Sequence, residues 1–259
     1  LSKNKHKNIK LIVRAHGYDL YHNRSPLGRL PWRKVIEKGI DQLVFASDFA
    51  YSYFSKNINP QISHKHSVHR IGTSDSKRKF FTDKDEPFII VSCSNLIPLK
   101  RVNLIIEALS NINNRKIRWH HFGDGELFES IVRFAKLKLS GIQNIEYYFE
   151  GFTDNDEILG FYSRTNVSCF ITASQSEGGC PVSIQEAMSY GIPVSAPRVG
   201  GITEMIKDIG LLLPDDFTSE DLSVQICKLI DMNSSNYLEL RKRTYNQWSK
   251  LFDGKKNAL

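Results

Sequence analysis

Apolar residues in this 259-residue chain gather in short runs that stay apolar throughout instead of alternating with polar ones. Residues 88–93, 117–122, 145–149, 167–171, 192–196 and 211–213 read as strands covered on both faces, as a parallel sheet requires. Segments of helical spacing lie between them. Val102, Ile105, Ile106, Leu109 and Ile112 mark one face of a helix over 102–112. Further helices are expected over 127–139, 156–162, 182–190, 201–206 and 219–230. Strand followed by helix, repeated with little interruption, indicates a doubly wound α/β domain.

The earlier part carries the same pattern more sparsely. Strands are expected over 9–15, 42–46 and 67–71, with one helix entered at Pro31 ahead of Trp32, Val35 and Ile36, and another starting at Phe49. The polar segment 73–87 reads as a linker. In 234–259, Tyr237, Leu240, Tyr245 and Trp248 suit a helix packed back on the domains, with 253–259 frayed. The chain thus divides into 1–82, 83–232 and a tail, 233–259.

Charge changes this picture. Residues 1–82 hold 16 Lys/Arg against 5 Asp/Glu, a net of +11, while 83–259 carry a net of −4. Such a basic block suits an anionic lipid headgroup, a phosphate-bearing substrate or a nucleic acid, or it forms a solvated basic face. Nucleic acid is disfavoured, because there is no zinc-finger spacing, no paired RNA-binding aromatics and no compact basic helix. No apolar run approaches the roughly 18 residues that span a bilayer. Leu1 to Lys10 is too polar for a secretory signal. Cys93, Cys169, Cys180 and Cys227 form no C-x-x-C pair, so neither a disulfide framework nor a zinc site is supported. A reducing, cytoplasmic location follows.

In an open parallel sheet, ligands bind beyond the carboxyl ends of the strands. Residues 94–101, 123–126, 151–153, 174–181 and 200–201 all follow predicted strands. Glycines there let backbone N–H groups approach a ligand, and helix N-termini favour phosphate. Neither G-x-G-x-x-G nor G-x-x-x-x-G-K-[ST] is present, which disfavours a fingerprinted dinucleotide fold and a P-loop NTPase. Lys100 and Arg101 follow Pro98 at an expected helix start, where one of them could neutralise a diphosphate. Glu177 and Glu186 bracket the Gly178-Gly179-Cys180-Pro181 turn and the Val182 that follows it, and read as acceptors for ribose or sugar hydroxyls. His16, beside Gly17 and just past a strand, fits a structural role as well as a catalytic one.

The run S-E-G-G-C-P-V-S-I-Q-E-A-M-S-Y-G-I-P-V at 176–194 closely resembles the signature of family 4 glycosyltransferases. These are retaining enzymes of two facing Rossmann-like domains (the GT-B type), used in bacterial polysaccharide assembly, including lipopolysaccharide and capsule. Residues 94–101, H-F-G-D-G at 121–125, F-E-G-F at 149–152 and V-G-G-I-T-E at 199–204 support the resemblance, as do R-A-H-G at 14–17 and R-I-G-T at 70–73.

The resemblance implies that Glu186 accepts hydrogen bonds from the donor's ribose and that Glu177 lies near the sugar hydroxyls. Backbone N–H groups of Gly178 and Gly179, in the turn with Cys180, Pro181 and Val182, would face the diphosphate and sugar. Lys100 matches a phosphate-binding lysine and His16 a sugar-facing histidine of the opposite domain. Gly151, Phe152 and Thr153 would border the base, with Gly123 and Asn95 in the same donor site. The implied reaction moves a hexose from a nucleotide-diphosphate sugar, a UDP-sugar favoured, to a saccharide or lipid-linked acceptor with retention. Positioned cations, with no metal and no separate cofactor, would stabilise the departing diphosphate.

Three positions depart from the family. Asn95 stands where an arginine is usual, so one diphosphate cation is missing unless Arg101 replaces it. Glu177 and Glu186 are separated by eight residues instead of seven. The first block holds about 80 residues where roughly twice that is typical. The expected fold is therefore α/β of GT-B type, with a complete C-terminal Rossmann-like domain and a partial N-terminal one. Two readings follow. One is a hexosyltransferase whose basic block meets an anionic surface at the inner face of the membrane. The other is a non-catalytic or partner-dependent nucleotide-sugar-binding subunit or fragment.

Overall fold

The computed structural model describes residues 10–17, 20–22, 39–57, 66–77 and 81–257. Three short strands of the first part, β1 (Ile12–Ala15), β2 (Gln42–Phe45) and β3 (His66–Val68), pair in parallel in that order. Helix α1 (Asp48–Asn57) follows β2, and Ala50 and Phe54 on it pack with Ala15, Leu43 and Phe45 in a small core. The helix expected at Pro31, Trp32, Val35 and Ile36 lies outside the described residues.

The second part forms β4 (Phe88–Cys93), β5 (Ile117–Phe122), β6 (Ile145–Gly151), β7 (Cys169–Ile171), β8 (Val194–Pro197) and β9 (Leu212–Leu213). They join in one parallel sheet of order β6-β5-β4-β7-β8-β9. Between and after them run α2 (Val102–Ser110), α3 (Phe128–Leu139), α4 (Asn155–Arg164), α5 (Val182–Ser189), α6 (Ile202–Ile206) and α7 (Ser219–Ile230). The chain builds outward from β4 to β6 and then returns to add β7 on β4's other side. The crevice beyond the carboxyl ends of β4 and β7 is thus the switch point at which such a sheet receives ligands. β4 and β7 are apolar and almost wholly buried, as strands at the centre of a covered sheet must be. β6 departs from this pattern. It is an edge strand whose Glu146, Tyr148 and Glu150 face solvent in alternation with Tyr147 and Phe149.

The expectation that 253–257 frays needs correction, and the described parts of the linker, 73–77 and 81–87, are held in place. Helix α8 (Ser234–Leu251) packs back on the large sheet and holds both. Its Trp248 Nε1 donates to Thr73 Oγ1 at 2.8 Å, and its Tyr237 hydroxyl donates to Ser168 O at 2.8 Å. Arg241, fully buried on the same helix, donates from Nε to Gly191 O at 3.1 Å and from Nη1 to Asn166 Oδ1 at 2.7 Å. Thr73 bonds through its amide to Phe252 O and through its carbonyl to Gly254 N, each at 2.9 Å, and the short helix α9 (Gly254–Asn257) follows. Backbone pairing between linker and tail satisfies groups that fraying would leave to water.

A buried polar chain lies under the carboxyl end of the sheet. Trp119 Nε1 donates to Ser92 Oγ at 2.9 Å, and that hydroxyl sits 2.8 Å from His121 Nδ1. Burial lowers the pKa of His121 to about 4, so its ring is neutral in the folded protein. The unfolded chain takes up this proton near pH 6.5, so stability fully present above that value is lost as pH falls towards 4. Urea unfolding should show the wild type's advantage over His121→Gln shrinking between pH 7.5 and 4.5, by up to about 3 kcal/mol.

Candidate functional site

Lys100 and Arg101 adjoin in sequence and part in space. A 3-10 turn, Pro98–Lys100, follows β4, and Arg101 then takes a left-handed conformation with φ of 46° before α2 starts at Val102. The helix therefore starts at Val102, where the apolar spacing places it, and Pro98 opens only the short turn before it. That turn sends Lys100 Nζ to Glu177 Oε1 at 2.5 Å, with the two side chains only 21% and 14% exposed. It sends Arg101 the other way. Arg101 Nε donates to Ala173 O at 2.8 Å, and the guanidinium lies 5.0 Å over the Phe217 ring. Arg101 therefore ties the loop after β7 to α2, away from Lys100, while Asn95 is exposed.

The Glu177 loop rests on backbone. Gly200 has φ of +53°, and a Cβ there would fall 1.8 Å from the Glu177 carbonyl oxygen. At Gly201 a Cβ would fall 2.4 Å from Gly179 O. The loop is pinned again by Gln175 N, which donates to Leu99 O at 2.8 Å, next to Lys100. From the first sheet, the Tyr21 hydroxyl donates to Gly178 O, and Ala46 lies against Gly179. Cys180 turns inward with Sγ 3.4 Å from Glu204 Oε1, and burial pushes its thiol pKa up. Pro181 caps α5, and Val182 begins it, exposed.

Glu186 lies one turn further along α5 and is half-buried. Its Oε1 accepts from Asn155 Nδ2 at 2.8 Å, while burial raises its pKa. The Cys93 thiol at the end of β4 feels both Glu186 and Lys100, and burial chiefly pushes it up to about 11. Lys100, Glu177 and Glu186 thus surround the ends of β4 and β7.

On the other side of β4, Gly123 N donates to Gly151 O at 2.8 Å and joins the loops after β5 and β6. A Cβ at Gly123 would fall 2.0 Å from Ser94 O, so this loop too lies backbone to backbone on its neighbour. Phe152 is 80% exposed, and Thr153 Oγ1 donates to Gly151 O at 3.3 Å. His16 is exposed just past β1. The next residue, Gly17, accepts through its carbonyl from the Leu20 and Tyr21 amides, and this turn delivers Tyr21 to Gly178.

Several contributors carried no assignable role in the sequence. Glu204 and Arg70 stood in quoted motifs without a function. Glu204 Oε1 accepts from Arg70 Nε at 3.2 Å and Oε2 from Phe49 N at 3.1 Å, while Arg70 also pairs with Asp48. One carboxylate thereby joins β3's continuation, the start of α1 and Cys180. Tyr21 and Asn155 gave no signal, because their partners lie 157 and 31 residues away. Among the described residues, no group of His, Cys, Asp and Glu could hold a metal ion. Among them also, no helix is long and apolar enough to cross a membrane.

Residues 73–249 match the family model described as Glycosyl transferases group 1. The chain belongs to this family. It is 28% identical over 265 residues to the uncharacterized glycosyltransferase MJ1178 of Methanocaldococcus jannaschii, covering all of this chain and 68% of that protein. It is 32% identical over 135 residues to the O-antigen biosynthesis glycosyltransferase WbnH of Escherichia coli, covering 51% of this chain and 36% of WbnH. The chain thus spans about two thirds of the first relative's length and about one third of the second's. The crystal structure of Anabaena HepE in complex with UDP and glucose superposes with a TM-score of 0.73 at 17% identity, covering 96% of this chain and 69% of HepE. The fold is that of GT-B glycosyltransferases.

Gly200 and Gly210 both have positive φ, but a Cβ at Gly210 would meet nothing within 4 Å. Gly210→Ala should therefore cost about 1 kcal/mol of backbone strain. Gly200→Ala must in addition displace the Glu177 carbonyl, and should lose clearly more stability in urea unfolding.

Proposed function

We propose that this chain binds a nucleotide-diphosphate sugar, a UDP-sugar first among them, beyond the ends of β4 and β7. It passes the hexose, with retention, to a saccharide or lipid-linked acceptor in polysaccharide assembly. The observation that carries this reading is the Lys100–Glu177 pair beside Glu186 at the sheet's switch point. It is supported by HepE's complex with UDP and glucose and by WbnH's role in O-antigen biosynthesis.

Each group then has a task. Glu186, with a carboxylate oxygen beyond the one Asn155 holds, accepts from ribose hydroxyls. Gly178, Gly179 and the start of α5 offer N–H groups and a positive helix end to the diphosphate. Lys100, oriented by Glu177, turns to the phosphate oxygens as the sugar–phosphate bond breaks. A fixed cation lowers the barrier there because negative charge grows on the leaving group. Phe152 borders the base, and His16 approaches the sugar from the first sheet. The reaction belongs at the cytoplasmic face of a membrane, where the basic first block meets anionic lipid.

A second reading keeps the donor site and differs on the acceptor side. In it, this chain holds the donor and a partner completes the acceptor side. Calorimetric titration with UDP-, GDP- and ADP-sugars tests both. One donor class should bind, and Glu186→Ala or Lys100→Ala should each weaken it by roughly tenfold or more. Absence of binding by every donor sinks both readings. Binding without hydrolysis or transfer selects the second.

A further inference from the structure

We infer that Asn155 is a positioning residue of the donor site, whose amide holds one oxygen of Glu186 so that the other is presented to the hydroxyls of a bound nucleotide sugar. The inference rests on the donor reading of Glu186. Asn155 is the first residue of α4, two positions after the Thr153 loop, and its Nδ2 reaches across to α5 to donate to Glu186 Oε1 at 2.8 Å. Glu186 Oε2 takes no hydrogen bond among the described residues.

The choice of an amide matters. A half-buried carboxylate needs a donor, but a cation would hold both oxygens and compete with ligand hydroxyls. The nearby cation, Lys100, is instead paired with Glu177. A neutral amide satisfies one oxygen and leaves the second an acceptor. Because Asn155 follows the loop that would border the base, the contact also links the base side of the site to the ribose side.

The same contact opposes burial. Desolvation raises the pKa of Glu186, and the Asn155 hydrogen bond lowers it by favouring the charged form. Among the described residues, the other ionisable groups that interact electrostatically with Glu186 are Cys93 at the end of β4 and Tyr162 on α4. Burial raises both, the thiol to about 11 and the phenol well above its ordinary value, so both stay neutral while Glu186 titrates. His121, lowered to about 4, also titrates in acid but makes no contact with Asn155. Without Asn155 the desolvation is unopposed, Glu186 holds its proton to higher pH, and the hydroxyl acceptor is lost there.

The test uses the full chain with Asn155→Ala and, as a second variant, Asn155→Ser, whose hydroxyl is too short to reach Glu186. Asn155 is exposed, so both leave the core intact. Calorimetric titration with UDP-glucose, GDP-mannose and ADP-glucose is run from pH 5.5 to 8.5, alongside a ligand-free carbon NMR titration of the Glu186 carboxylate. Both variants should bind the wild type's donor about threefold to tenfold more weakly at the acid end. The deficit should narrow as pH rises, and the Glu186 midpoint should move up. Donor binding by both variants as tight as the wild type's at every pH, or an unmoved Glu186 midpoint, overturns the inference while the donor reading stands. If the wild type binds none of the three sugars, the donor reading fails first and takes the inference with it.

Discussion

At the carboxyl end of the large sheet, loops meet through their backbones. Gly200 lies so close beneath the Glu177 carbonyl that no side chain fits between them. Ser94 and Gly123 meet in the same manner across β4 and β5. This contact brings the Lys100 turn, the Glu177 loop and the start of α5 within one side chain's reach. With bulkier turns the loops would splay, and Lys100 would have no carboxylate to meet. An open sheet offers a crevice at its switch point in any case. Glycine-to-carbonyl packing is what narrows this crevice into a site.

The second constraint joins the two sheets. Glu204 accepts from Arg70 and from the Phe49 amide at the start of α1 while Cys180 leans on the same carboxylate. Tyr21 holds Gly178 from the same side. The loop that carries Glu177 is therefore shaped by residues of both sheets, and neither sheet alone determines its path. Hydrogen bonds to a partly buried charge are among the stronger polar contacts a protein makes, which suits a joint of small area. The chain's far end is anchored by comparable means, with Trp248 bonded to Thr73 and Arg241 to both Thr82 O and Gly191 O.

Most of the large sheet was legible in the sequence because burial on both faces leaves a direct record in strand composition. Residues 88–93 and 117–122 become β4 and β5 with the expected bounds, and 219–230 becomes α7. Errors fell where local chemistry was outweighed by distant partners. Residues 253–257 are polar and near a chain end, yet Thr73, some 180 residues earlier, pairs its backbone with Phe252 and Gly254 and holds the segment's start. The direction of Arg101 was equally illegible from its neighbour, Lys100. A left-handed turn at that one residue, and the carbonyl of Ala173, turned it away.

The sequence by itself determined the alternation of strand and helix, the family, and the clustering of Lys100, Glu177 and Glu186 beyond strand ends. The alternation and the clustering follow from periodicity and turn chemistry, which act over a few residues, and the family follows from the likeness of its motifs, 176–194 above all. Only the tertiary structure decided which charges meet. Lys100 faces Glu177 across 77 positions, Asn155 faces Glu186 across 31, and Arg70 faces Glu204 across 134. Such pairings depend on strand order and on how closely loops stack. A side chain's identity carries no record of either, because both are set by the packing of the whole sheet.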